Sequence, residues 1–169
     1  MEYVINTKDY ENELNLINFT LTKFLMNFGL KPKLEECFRY NSNTGEVYYE
    51  LDFGGYSART QDGNRDFFNS VKRQNPKVKL NLFIWQLLHE VGHHYTLFTF
   101  TKKEIMRGRK KVYRLAHNCA TNPYYTIPYE VAATKWAVEY ANTHQKEIKE
   151  FWNELEPVVK ALEEKVASI

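Results

Sequence analysis

The sequence predicts an α+β fold: an N-terminal helix, a small antiparallel sheet, a central helix packed on a second helix, and a C-terminal helix. Three observations predict it. Four stretches repeat apolar residues every three or four positions. Two short runs rich in β-branched and aromatic residues flank a turn. One of the helical stretches is apolar nearly all round. At 169 residues, 43% of them hydrophobic, the chain can bury one real core, so a single domain over residues 1–169 is expected.

Tyr10, Leu14, Ile17, Leu21, Phe24, Leu25 and Phe28 share one helical face, which predicts an amphipathic helix from about Asp9 to Phe28. Gly29 is its expected C-terminal cap, and Pro32 prevents continuation. Cys37–Tyr40 and Glu46–Phe53 read as two strands, joined through the turn-forming Asn41-Ser42-Asn43-Thr44-Gly45 into a hairpin. Gly54-Gly55 interrupts the second strand, and Tyr56–Thr60 continues the sheet after a bulge or turn. Arg65 to Gln74 reads as a short helix ended by Asn75-Pro76.

The central element runs from Leu80 to Phe98, with Asn81 as its candidate cap. A helix this apolar is expected to be buried. Thr101 to Asn118 reads as a helix or a hairpin excursion, because Gly108 weakens a helix there. Asn122-Pro123-Tyr124-Tyr125 is a loop. Ile127 to Asn142 is a helix with Pro128 in its first turn, and a last helix runs from about Gln145 towards Val166, with a kink expected at Pro157.

The balance of 23 basic and 21 acidic residues gives no global argument for nucleic-acid binding. One run is basic, from Lys102-Lys103 through Arg107, Arg109, Lys110 and Lys111 to Arg114. It reads first as a solvated face, since no stacking aromatics interleave it. A nucleic-acid or acidic-partner patch over residues 102–114 is the alternative. Cys37 and Cys119 form no Cys-x-x-Cys pair, so free thiols are the default. With no signal-peptide pattern and no apolar run of membrane length, the chain reads as cytoplasmic, with no membrane partner.

The chemistry-bearing motif lies inside the central helix: His89-Glu90-Val91-Gly92-His93-His94. Residues four apart share a helical face, so His89 and His93 can hold one metal ion while Glu90 stands beside it as a general base. A chance occurrence is expected in roughly 0.015 chains of this composition. Burying these side chains without a purpose is costly besides.

A catalytic zinc takes three protein ligands and a water. The extended metzincin motif would need a histidine where Thr99 stands and a glycine where Thr96 stands, so that class is rejected. Glu130 is the candidate third ligand. Ala133 and Ala137 share its face and permit a close helix approach, and a glutamate at such a contact needs a cation. Glu139 is the runner-up. Tyr124, Tyr125, Tyr129, His94 and His117 are candidate oxyanion or substrate contacts.

His89-Glu90-x-Gly92-His93 followed by Glu130-x-x-Ala133 resembles the gluzincin pattern. The small size, the helix–hairpin–helix start and the Glu130-x-x-Ala133-x-x-Trp136-Ala137 stretch are most similar to ImmA/IrrE-type metallopeptidases of phages, mobile elements and bacteria. The resemblance covers about Leu80 to Ala141. It implies a minimal zincin-like domain, one Zn²⁺, a peptide or protein substrate, and cleavage of a regulatory protein. His94, the long basic insert and the lack of a DNA-binding helix-turn-helix depart from it. The alternative function is a catalytically silent zincin fold that captures a protein or nucleic-acid partner. A strand such as Val47–Phe53 is a candidate for binding substrate by edge addition.

Overall fold

A computed structural model describes residues 10–51, 68–116 and 126–168, with the side chains of 112–116 excepted. The fold is α+β, mostly helical, with one three-stranded sheet. Helix α1 spans Glu11–Met26, and Gly29 follows at φ +70°, a left-handed turn that glycine enters without strain. Strands β1 (Lys31–Leu34), β2 (Arg39–Asn41) and β3 (Glu46–Tyr49) come next. Residues 68–74 are helical. Helix α2 is Leu82–Thr96, prolonged by a 3₁₀ turn at Leu97–Thr99. Helices α3 (Lys102–Ala116), α4 (Pro128–Thr143) and α5 (Gln145–Ala167) complete the fold.

The hairpin forms as expected. Gly45 takes φ +68° in its turn, and β2 pairs antiparallel to β3 with Tyr40 opposite Val47. The sheet as a whole is mixed, however, because β1 adds parallel to β3, with Pro32 opposite Val47. The sequence hides this strand. Lys31-Pro32-Lys33-Leu34 is short, contains a proline and buries little, and that proline is tolerated because β1 lies at an edge. In the order β1-β3-β2, β3 is central. Substrate therefore cannot add to Val47–Tyr49, contrary to expectation, since both sides of that strand are already paired. Among the described residues, the free edges belong to β1 and β2. Tyr48 on β3 is sandwiched between cations, with Lys33 Nζ 5.4 Å and the Arg39 guanidinium 4.7 Å from its ring centre.

Asn81 caps α2 as expected, its side-chain oxygen accepting from the Ile84 N–H at 2.8 Å. Ile84, Trp85, Leu87, Leu88 and Val91 bury that helix in the core. Helix α1 lies against α5, where Phe24 stacks on Phe151 at 4.2 Å and Lys23 pairs with Glu154 at 2.7 Å. Pro157 lies inside α5 without ending it. The ambiguous stretch after Thr101 is a helix, because Thr101 and Glu104 form a reciprocal cap. The Thr101 N–H donates to the Glu104 carboxylate at 2.6 Å, and the Glu104 N–H donates to Thr101 Oγ1 at 3.2 Å. Tyr56–Thr60 and the Asn122–Tyr125 loop lie outside the described residues. Among the described residues, no helix is long and apolar enough to cross a membrane.

Candidate metal centre

Among the described elements, helices α2 and α4 make the most extensive contact. Small residues permit it. A Cβ placed on Gly92 would lie 2.5 Å from the backbone oxygen of Ala133, so only glycine fits at this spacing. Ala133 and Ala137 are fully buried at the same contact.

This approach brings Glu130, in the first turn of α4, onto the two histidines of α2. Glu130 Oε2 lies 2.7 Å from His89 Nε2 and 3.3 Å from His93 Nε2. One ligand atom from each of the three residues falls within 4.8 Å of the others, and the group could hold a metal ion. Both histidines are buried. The rings sit edge to face, 4.8 Å between centres, so both Nε2 atoms turn to one point.

Electrostatics follow from this packing. Burial alone would raise the Glu130 carboxyl, but hydrogen bonds from His89 and His93 outweigh it and hold the group at about 2. Burial alone would lower His93. Its bond to Glu130 and the charges of Glu90 and Glu130 override that and raise it. A carboxylate that two imidazoles neutralise is a site where a cation can replace the shared protons.

Glu90 follows His89 on the same helix and is only partly buried. Burial pushes its carboxyl above the ordinary range. The positive charges of His93 and His89 oppose that shift, Glu130 adds to it, and a hydrogen bond from the backbone of Tyr40 opposes it. Glu90 thus stands within electrostatic reach of all three candidate ligands without being one of them.

No family profile matches the chain, and no curated protein or solved structure is significantly similar to it.

The remaining candidates separate. Tyr129 is buried beside His93, ring centres 5.8 Å apart. Burial raises its phenol, the Glu130 charge adds to this, and Arg109 opposes it. His94 does not join the ligand group. Its Nδ1 is 2.9 Å from the Tyr40 hydroxyl, and its ring meets the Tyr40 and Tyr95 rings edge-on. His94 therefore ties α2 to strand β2. Glu139, the runner-up ligand, is exposed on α4 and lies outside the group. His117, Tyr124 and Tyr125 lie outside the described residues.

Sequence reading missed Thr134. Its Oγ1 is 3.2 Å from His89 Nδ1, the ring nitrogen opposite the one facing Glu130. Its signal was the four-residue spacing from Glu130, which puts both on one face of α4. It also missed Tyr40, whose proximity to Glu90 depends on a contact between strand and helix that no local pattern records. His93 Nδ1 is buried and has no hydrogen-bond partner among the described residues.

Proposed function

We propose that this protein is a zinc-dependent peptide hydrolase in which His89, His93 and Glu130 hold one ion and Glu90 is the general base. The convergence of two buried imidazole nitrogens and one buried carboxylate oxygen carries the reading. Two nitrogens and an oxygen are the donor set that zinc accepts in catalytic sites, with a further position left for exchange. Zinc held there would supply a Lewis acid, making a bound water acidic near pH 7 and polarising a substrate carbonyl.

The chain's own groups do the rest. Glu90 takes the proton from the attacking water and passes it to the leaving amine, a role for which a carboxyl raised by burial is suited. Thr134 fixes the His89 ring. With Nε2 given to a metal, Nδ1 carries the proton and donates to Thr134 Oγ1. Tyr129, beside His93 and kept protonated by burial, is the described candidate to donate to the developing oxyanion.

Metal analysis of the purified protein tests this reading. One zinc per chain is expected, lost on His89→Ala and strongly weakened on Glu130→Ala. Glu90→Gln should keep the metal and abolish cleavage of a mixed peptide library. A wild-type protein that holds zinc yet cleaves nothing, while capturing a partner tightly, would instead indicate a silent binding fold. Failure to bind zinc at all would end the proposal.

A further inference from the structure

Helix α3 concentrates the positive charge of the molecule on the half of its surface turned away from the body. Lys102–Ala116 carries seven basic side chains and one acidic one, a charge of +6, so the rest of the chain is −4 to give the total of +2. Buried Gly108 marks the inward side. A Cβ there would lie 2.4 Å from the Tyr129 ring and 3.1 Å from Ile127, so the helix rests against these two side chains at its glycine. Ile105, one turn earlier on the same side, is half-buried. The one acid, Glu104, is engaged in the N-terminal cap, accepting from the Thr101 N–H at 2.6 Å.

Lys102, Lys103, Arg107, Arg109 and Lys110 are all exposed. At about 100° per residue, the five fall within about 80° of the direction opposite Gly108. They fan out rather than line up. Arg107 stands at one flank of the helix, Lys102 and Arg109 stand at the other, and Lys103 and Lys110 lie near the crest beside Met106, which is 58% exposed. Among the described residues, none of the five cations has an ion-pair partner. Such a density of uncompensated like charge on one short helix opposes folding and favours an anionic partner.

The fan discriminates among anionic partners. A membrane surface meets a helix from one side and needs a free apolar face, whereas the described apolar side of α3 is occupied by Tyr129 and Ile127. An acidic peptide is a single chain that covers one flank or the crest, not both flanks at once. Duplex DNA presents two phosphate backbones on either side of a major groove about 12 Å wide, which admits a helix about 10–12 Å across. Cations on both flanks and on the crest between them match that cross-section. A-form RNA keeps its major groove too deep and narrow for protein side chains to read. A duplex is also held through its phosphates and needs no stacked ring, unlike a single strand. We propose that α3 docks in the major groove of duplex DNA, with Arg107 on one bordering phosphate backbone, Lys102 and Arg109 on the other, and Lys103 and Lys110 over the base edges. This surface points away from the metal-ligand group, so the inference stands apart from the peptidase reading.

Fluorescence anisotropy with the full chain and a labelled DNA duplex of about 20 bp tests this. Five phosphate contacts give a slope of about −4.5 for log affinity against log salt, so raising KCl from about 50 to about 200 mM should weaken binding about 500-fold. Arg107→Gln/Arg109→Gln removes one contact from each flank. It should weaken binding about tenfold or more and reduce the slope by about 2, with circular dichroism confirming a folded protein. Lys146→Gln/Lys149→Gln removes two exposed cations from α5 instead and should bind as the wild type does. An RNA duplex of the same length and a glutamate-rich peptide of matched charge should bind about tenfold more weakly than the DNA, as the loss of one flank would give. Equal losses in the two double variants would show attraction to net charge at large and overturn the proposal. Equal affinity for the RNA duplex or the acidic peptide would show a surface that takes charge without a groove, and would overturn it too. Absence of DNA binding at about 50 mM KCl, whether or not phosphatidylserine vesicles bind, would end it. Zinc binding and peptide cleavage are read separately, so the peptidase reading stands or falls on its own.

Discussion

Gly92→Ala probes the contact on which the candidate metal centre depends. In an isolated helix the change would be favourable by about 1 kcal/mol, since alanine is the better helix former. Here the new methyl would meet the Ala133 carbonyl oxygen at 2.5 Å, where ordinary contact begins at 3.4 Å. Helices α2 and α4 must then separate locally by about 0.9 Å, or the backbone must bend. Overpacking of this kind costs about 1–3 kcal/mol, so the net effect on stability is about 0–2 kcal/mol unfavourable. At roughly 2–4 °C per kcal/mol, Tm falls by about 0–8 °C. Metal binding should suffer more. His89 and His93 lie on one side of this contact and Glu130 on the other, while ligand distances tolerate only about ±0.2 Å. A competition titration with a chromogenic chelator should show zinc affinity reduced by about tenfold or more, with circular dichroism confirming a folded protein. Ala133→Gly should not rescue the variant, because the obstruction is the carbonyl oxygen and not the Ala133 methyl. The reasoning fails if Gly92→Ala binds zinc as the wild type does and melts about 2–4 °C higher, as propensity alone would give.

Three further outcomes follow. In the metal-free protein, the Glu130 carboxyl is held at about 2 against an ordinary 4.5, so its contribution is present above pH 4.5 and lost as pH falls towards 2. His93 is raised above 6.5, so its contribution is complete below that pH and lost as pH rises through the folded value. Tm in EDTA should therefore peak between about pH 4.5 and 6.5, and Glu130→Gln should flatten that peak. An unchanged profile in the variant would contradict the pairing. Tyr40→Phe and His94→Ala each remove the same strand-to-helix bond and should cost about 1 kcal/mol, with no further loss when combined. Fully additive losses in chemical denaturation would show that the two groups act separately. Thr134→Val should leave zinc stoichiometry intact but weaken affinity by about 10- to 100-fold, and wild-type affinity would remove Thr134 as the support of His89.

The ligand group was legible in the sequence because its geometry is mostly local. His89 and His93 meet through helical spacing alone, and Ala133 and Ala137 announced where a second helix could come close. Gly92 carried the matching half of that signal. The rest depends on contacts between distant segments. Strand β1 is four residues long, contains a proline and buries little, so its parallel pairing to β3 is set by tertiary packing, and the edge position assigned to Val47–Phe53 fell with it. Gly108 read as a weakness in a helix. It is the point where α3 seats on Tyr129, and the Thr101–Glu104 cap that secures the helix was a readable motif. His94, a candidate oxyanion or substrate contact by sequence, bonds Tyr40 instead, a contact that appears only when β2 lies beside α2.

Tyr40 joins these two classes of information. Its hydroxyl meets His94, which ties β2 to α2, and its backbone is near enough to Glu90 to lower that carboxyl. Glu130 approaches His89 and His93 from the other helix. Strand β2 therefore borders the end of α2 that carries the candidate base, while α4 carries the third candidate ligand. A disturbance of α4 should reach the metal ligands first, and a disturbance of β2 should reach Glu90 first. Such a division would let metal affinity and the environment of Glu90 be altered by different residues without moving the helix that carries both.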